Sequence, residues 1–146
     1  MTTAFEPANP DFQSVVRRAF ARQSLMTLYG AQLADVAPGR VVITLAPNEN
    51  LLQQAGHIHG GVIGALADSA GGFAALSLAP AGFDVVTIEY KINFMRAAAG
   101  SLRVTGDVIR PGRSITVTRM TCEAGMGSAF ETCAVVQATF MRVAGA

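Results

Sequence analysis

From Gly60 to Gly82 the chain carries one charge, the carboxylate of Asp68. Around it stand Gly60-Gly61-Val62-Ile63-Gly64-Ala65-Leu66-Ala67 on one side and Ser69-Ala70-Gly71-Gly72-Phe73 on the other, all small or apolar apart from one serine. The stretch reads as a loop that turns at His59-Gly60-Gly61 and becomes a helix of small residues, ending near Leu78 before Pro80 and Gly82. An ionised carboxylate in apolar surroundings is costly unless it is hydrogen-bonded or paired. An alanine would serve such a helix equally well, so Asp68 calls for a reason.

Helical spacing of about 100° per residue sharpens the question. Val62, Ile63, Leu66, Ala70, Phe73 and Ala74 fall on one side, which is bulky and suited to a sheet. Gly61, Gly64, Ala65, Asp68, Gly71, Gly72 and Ala75 fall on the other, which is nearly bare and open to a second backbone or a thin ligand. Two readings follow. Asp68 pairs across a small-residue seam between subunits, or it is a reactive carboxylate lining a narrow slot headed by the free N–H groups of a helix N-terminus. The second suits thioester chemistry. A carbonyl oxygen on the Gly61 N–H would be polarised by the hydrogen bond and by the helix dipole. Asp68 would activate water as a general base, or attack directly.

The remaining chain is read as one domain. Asn9-Pro10-Asp11 is a helix start, and Phe12, Val15, Val16, Ala19 and Phe20 recur with helical spacing to about Met26, with Arg17, Arg18 and Arg22 on a solvated face. Tyr29 to Val36 and Arg40 to Ala46 flank Ala37-Pro38-Gly39 as a hairpin. After the central helix come four strand-like runs, Phe83 to Ala97, Ser101 to Ile109, Ser114 to Glu123 and Ala129 to Val143, with short turns between them. The expected architecture is α+β: a six-stranded antiparallel sheet wrapped around one apolar helix, with an N-terminal helix in front. Residues 1–9 are expected to be disordered and 10–146 to form the single domain.

Composition bounds the function classes. The formal net charge is +1 at pH 7, which leaves no footprint for nucleic acid. The hydrophobic fraction is 51%, more than a small monomer readily covers, so a homo-oligomer is expected, a dimer or a dimer of dimers (homotetramer). Met1–Asn9 has neither a basic n-region nor an apolar h-region, so no signal peptide is read and a cytoplasmic location is expected. Asp68, the glycines, Pro80 and the absence of basic flanks argue against a membrane span over 60–83. Cys122 and Cys133 read as buried reduced thiols, and too few ligands are clustered for a metal, so none is expected.

His59-Gly60-Gly61, with Asp68 nine positions after the histidine and Ser69-Ala70 following it, resembles the hotdog-fold acyl-CoA thioesterases of the phenylacetate-pathway (PaaI-like) type. The likeness covers nearly the whole chain and implies a hotdog fold and hydrolysis of an acyl- or aryl-acyl-CoA, with CoA as part of the substrate and no separate cofactor. It implies further roles. His59 holds the loop and its glycine N–H groups. Gln53, six positions before His59, stands where such enzymes often place an Asn near the thioester or the attacking water, with Gln54 beside it. Thr87 stands where a Ser or Thr approaches the active acid. Gly60 belongs to the substrate-facing turn. Asn93-Phe94-Met95-Arg96 resembles the strand end that lies along the pantetheine and nucleotide, although Ala97 replaces the family's proline. Arg110-Pro111-Gly112-Arg113-Ser114 resembles the basic glycine turn near the CoA phosphates. Each of these has an ordinary structural reading as well: polar loop residues, a strand threonine, a charged hairpin turn.

Two other functions remain open on the same fold. A hydratase or dehydratase would pair a catalytic His with an acid, whereas here His59 is followed by Gly-Gly and the acid comes nine residues later. A non-catalytic acyl-CoA-binding protein would bind without turnover. In the thioesterase reading two protomers pair helix to helix, and each site takes Gly61 from one chain and Asp68 from the other.

Overall fold

Helix α3 (Gly60–Leu76) touches five of the six strands of a single sheet that curls around it. This is a computed structural model, and it describes residues 4–146. The elements run α1 (Phe12–Ala21), α2 (Ser24–Tyr29), β1 (Gln32–Ala37), β2 (Arg40–Leu45), α3, β3 (Phe83–Phe94), β4 (Ser101–Arg110), β5 (Ile115–Met126) and β6 (Ala129–Ala144). The sheet order is β1-β2-β4-β5-β6-β3 and every pairing is antiparallel. This is the hotdog arrangement expected from the order of the elements. No helix among the described residues is long and apolar enough to cross a membrane.

The front of the chain departs from expectation. The single helix expected to reach Met26 is two helices, α1 and α2, broken at Arg22-Gln23. The break turns Met26 inward, where it is buried. Tyr29 belongs to α2, so β1 begins three residues later than expected, after Gly30 closes the helix in a left-handed conformation. The cap of α1 is Asp11, not Asn9, and it makes no side-chain cap bond; Asn9 instead accepts the Asp11 N–H at 3.0 Å in the turn before the helix. Of the segment expected to be disordered, residues 1–3 lie outside the described residues, and Phe5 sits half-buried over Gly39 and close to Leu78.

The second face of α3 is not a bare slot. Gly64, Gly71, Gly72 and Ala75 are buried along with the bulky face, because the sheet wraps round both sides of the helix. The glycines permit this closeness. A Cβ on Gly71 would meet Met120 Sδ at 2.6 Å and Thr118 Oγ1 at 2.8 Å, and one on Gly72 would meet the Phe140 ring at 3.2 Å. On the sheet side Gly106 does the same, since a Cβ there would lie 2.5 Å from the Ala70 carbonyl oxygen. What stays open on α3 is a narrow strip of Gly61, Ala65, Asp68 and Ser69. At the helix end the fully buried Ser77 hydroxyl donates to the Ala74 carbonyl at 2.7 Å and accepts the Gly39 N–H at 2.8 Å, tying the β1–β2 turn to α3.

Strand β3 forms one edge of the sheet, and almost all of it is exposed, including Val86, Ile88, Tyr90 and Phe94. A bulge between Thr87 and Glu89 shifts its alternation. Val85 and Thr87 before the bulge, and Tyr90, Ile92 and Phe94 after it, therefore all turn toward α3.

Cys122 and Cys133 are free and buried, as expected, with the Cys133 thiol donating to the Cys122 carbonyl at 3.3 Å. Burial pushes the Cys122 thiol up from 9.0 to about 12 and raises Cys133 as well.

Two predictions follow from this packing. Gly106→Ala forces strand and helix backbones apart and should cost about 3 kcal/mol of stability by the scale of core overpacking, read by urea denaturation. The Cys122 thiol has a higher pKa folded than unfolded, so its contribution is full below pH 9.0 and is lost as pH rises toward about 12. Thermal stability should fall across that window, and less steeply in Cys122→Ala.

Candidate active site

The loop before α3 is built to present the helix end. Gln53 N–H donates to the His57 carbonyl at 2.8 Å, Ile58 N–H to the Ala98 carbonyl at 2.9 Å and His59 N–H to the Leu51 carbonyl at 2.9 Å. His59 is then the N-cap of α3, its Nδ1 accepting the Gly61 N–H at 2.8 Å. The expected positioning role of His59 thus has a direct form, a side-chain cap. It also means that the Gly61 N–H is not free in this state of the chain. The Gln53 side-chain oxygen is engaged within its own loop, accepting the Ala55 N–H and, at 3.5 Å, the His57 N–H.

Asp68 lies about two turns further along α3 and is half-buried. Thr87 reaches it from β3, its hydroxyl donating to Asp68 Oδ1 at 2.7 Å. Among the described residues no cationic side chain pairs with Asp68, so a hydroxyl, not an ion pair, holds the carboxylate. One oxygen is held in this way. Asp68 and Thr87 open onto a cavity of about 590 Å³ between α1, α3 and the start of β3, with Phe73, Val85 and Phe140 among its walls.

A second cavity, of about 380 Å³, lies at the N-terminal end of α3 and gathers Gln53, Gly60, Phe94 and Arg96. Phe94 stacks over Gly60, where a Cβ would meet its ring at 3.0 Å. Asn93, its neighbour, is on the opposite face of β3 and accepts from Lys91 Nζ at 2.7 Å. Arg96 is exposed and ion-paired with Glu131.

The Arg110–Ser114 turn lies at the other end of the sheet. Arg142 N–H donates to the Ser114 carbonyl at 2.8 Å and Arg142 pairs with Val85, so the turn is near the Asp68 cavity and far from Phe94. Gly112 is required by the turn itself, since a Cβ there would lie 2.1 Å from the Ile115 carbonyl oxygen. The structure thus unites Asp68 with Thr87, and Gln53 with Gly60, Phe94 and Arg96. Within one chain it joins neither group to the other.

Sequence reasoning passed over Arg18, Arg22, Gln23 and Ser69, which all line the larger cavity. Ser69 Oγ donates to Gln23 Oε1 at 2.9 Å, fastening the α1–α2 break to α3 beside Asp68. The signal was present, since Val15, Arg18, Ala19 and Arg22 form one i, i+3, i+4, i+7 stripe of α1.

The thioesterase superfamily model matches residues 55–131, just over half of the chain and the whole stretch from the capping loop to the start of β6. The chain belongs to the thioesterase superfamily. A crystal structure of a thioesterase family protein from Silicibacter pomeroyi is 35% identical, covers 92% of this chain and 99% of its own, and superposes with a TM-score of 0.89. The PaaI protein of the E. coli phenylacetic acid degradation operon shares the fold at a TM-score of 0.83 and 21% identity, over 94% of this chain and 97% of its own. A Halobacterium salinarum protein whose name proposes an esterase is 26% identical over 115 residues, 75% of this chain and 76% of that one. The chain is therefore a hotdog-fold member of that superfamily.

Loss of the Thr87 hydroxyl removes a hydrogen bond to a charged group, worth about 1.5–3 kcal/mol. Thr87→Val should lower kcat for thioester hydrolysis by roughly ten- to a hundredfold, while Thr87→Ser should retain most of it, as read in a thiol-release assay.

Proposed function

We propose that the chain hydrolyses acyl-CoA thioesters to the free acid and CoA, with Asp68 as the reacting carboxylate. The observation that carries this reading is the Thr87–Asp68 hydrogen bond at the edge of a cavity with mixed polar and apolar walls, with no cation ion-paired to the acid among the described residues. With Oδ1 held, Oδ2 is the oxygen that takes a proton from water as it attacks the thioester carbonyl. The C–S bond then breaks and the proton passes to the leaving thiolate. Direct attack by Asp68, through a mixed anhydride that water opens, is the second route, and single turnover in oxygen-18 water separates the two.

The carbonyl oxygen needs a donor, and Gly61 of the same chain is too far away. Seven residues of helix span about 10 Å, beyond the reach of one carbonyl group. The exposed edge strand β3, with its apolar side chains, supports a second copy placed alongside. In that dimer the helix N-terminus of one protomer faces Asp68 of the other. The thioester carbonyl then replaces His59 Nδ1 on the Gly61 N–H, and the helix dipole stabilises the developing oxyanion. Gln53, Gly60, Phe94 and Arg96 would line the CoA arm, with Asn93 at the outer margin. Arg110, Gly112, Arg113 and Ser114, in a turn at the Asp68 end, would meet phosphate.

Asp68→Ala should abolish hydrolysis of an acyl-CoA panel, and Gly61→Val should do the same while leaving Asp68 intact. Mixing the two inactive variants after unfolding and refolding should restore about a quarter of wild-type activity, because half of the dimers carry one site with both parts intact. Persistent inactivity of the mixture, with mixed dimers shown by mass spectrometry, would place both residues in one chain's site. Tight acyl-CoA binding without turnover by the wild type would replace the enzyme with a binding protein.

A further inference from the structure

The cavity beside Asp68 has a rim that hydrolysis itself does not use. Arg18 on α1 and Arg22, its C-cap, stand one turn apart at the exposed mouth of the cavity and both line it. Arg18 donates to Ser14 Oγ at 3.0 Å, and among the described residues neither guanidinium is ion-paired. Two like charges one turn apart repel each other, and an anion between them relieves the repulsion. Asp84, the nearby acid that also lines this cavity, is engaged by the Val85 N–H at 2.8 Å. Gln23 adds donors of the same kind. Its Oε1 is taken by Ser69, so its two N–H groups are left for whatever enters. Because Gln23 touches the residue next to Asp68, this rim stands within about two helical turns of the reacting carboxylate.

We infer that the acyl group carries a carboxylate at its far end, bound by Arg18 and Arg22, so that the substrate is the CoA thioester of a dicarboxylic acid. This rests on the thioesterase reading above. Phe73, Val85 and Phe140 line the same cavity and suit methylenes, while the guanidinium pair suits a terminal carboxylate bidentately. The phosphates of CoA are the other anion that could reach such a pair. The Arg110–Ser114 turn near the same cavity is already offered to those phosphates, however, and Phe73, Val85 and Phe140 beside the reacting acid suit the acyl side of the thioester.

The test compares matched pairs of equal chain length, adipyl-CoA with hexanoyl-CoA and glutaryl-CoA with pentanoyl-CoA. Wild type, Arg18→Gln, Arg22→Gln and the double variant are assayed, with folding checked by circular dichroism. In the wild type, kcat/KM should favour the dicarboxylic member by about tenfold or more, and the double variant should bring the ratio to about one. Equal or inverted preference in the wild type overturns the proposal. So does an equal loss on both members of a pair in the double variant, which would assign the arginines to CoA phosphate. The same pairs are titrated calorimetrically into Asp68→Asn protein. If no thioester is hydrolysed by the wild type, the enzymatic reading fails, and the binding ratio for adipyl-CoA over hexanoyl-CoA then decides the carboxylate proposal on its own.

Discussion

A carboxylate halfway along a helix enclosed by a sheet has to be held by something that does not neutralise it. Here that something is the Thr87 hydroxyl, at 2.7 Å from Asp68 Oδ1. A lysine or arginine in its place would fix the acid more tightly and lower its reactivity toward a proton. A valine would leave the charge without a donor in partly apolar surroundings. A hydroxyl does neither, since it orients one oxygen and leaves the other free. The bulge that follows Thr87 matters for the same reason. It lets Val85 and Thr87 face the helix at one end of β3 while Tyr90 and Phe94 face it at the other, so one edge strand serves both the acid and the glycine turn.

That arrangement depends on how closely helix and sheet approach. Gly71, Gly72 and Gly106 bring α3 nearly into backbone contact with the middle strands, and the buried Thr118 and Met120 fill the space that side chains would otherwise take. The glycines of α3 are therefore packing devices first. Each weakens the isolated helix by about 1 kcal/mol relative to alanine, which burial against five strands offsets. Only the strip from Gly61 to Ser69 escapes the sheet, and the proposed reaction uses this strip.

Much of this was legible in the sequence. The order of elements and the turn positions led to the architecture, and the resemblance carried by the lone acid at a fixed offset from His59-Gly60-Gly61 implied the approach of Thr87 to Asp68. Other features were not legible, for physical reasons. A helical wheel divides α3 into a packed and a bare side only if the sheet is flat. Curvature buries Gly64, Gly71 and Gly72 as well, and curvature is a property of all six strands together. The break at Arg22-Gln23 carries no proline or glycine and is set by tertiary contacts, among them the Ser69–Gln23 bond. The arginines of α1 are solvent-exposed, as their place on the polar face of an amphipathic helix implied. That Arg18 and Arg22 also border the cavity follows only from where α1 docks. That His59 caps Gly61 was implicit in its position before the helix, but a histidine is an uncommon cap beside Ser, Thr, Asp and Asn.

The fold also sets what kind of molecule can be read at both ends of α3. Toward its N-terminus stand backbone donors, an aromatic ring over Gly60 and a polar loop, features that suit an amide-bearing arm. Toward its middle stand an acid and a hydroxyl, with Phe73, Val85 and Phe140 among walls of mixed polarity, features that suit a hydrocarbon group ending at a carbonyl. A ligand with one polar and one apolar half, joined at an electrophilic carbon, matches that division, and an acyl-CoA has this construction. The two halves of the site lie about 10 Å apart on one helix, whereas the two halves of the ligand meet at a single atom. In the proposed reaction, a second helix running the other way brings them to the same point. The edge strand β3, left open along its length and rich in apolar side chains, is where the fold offers a place for one.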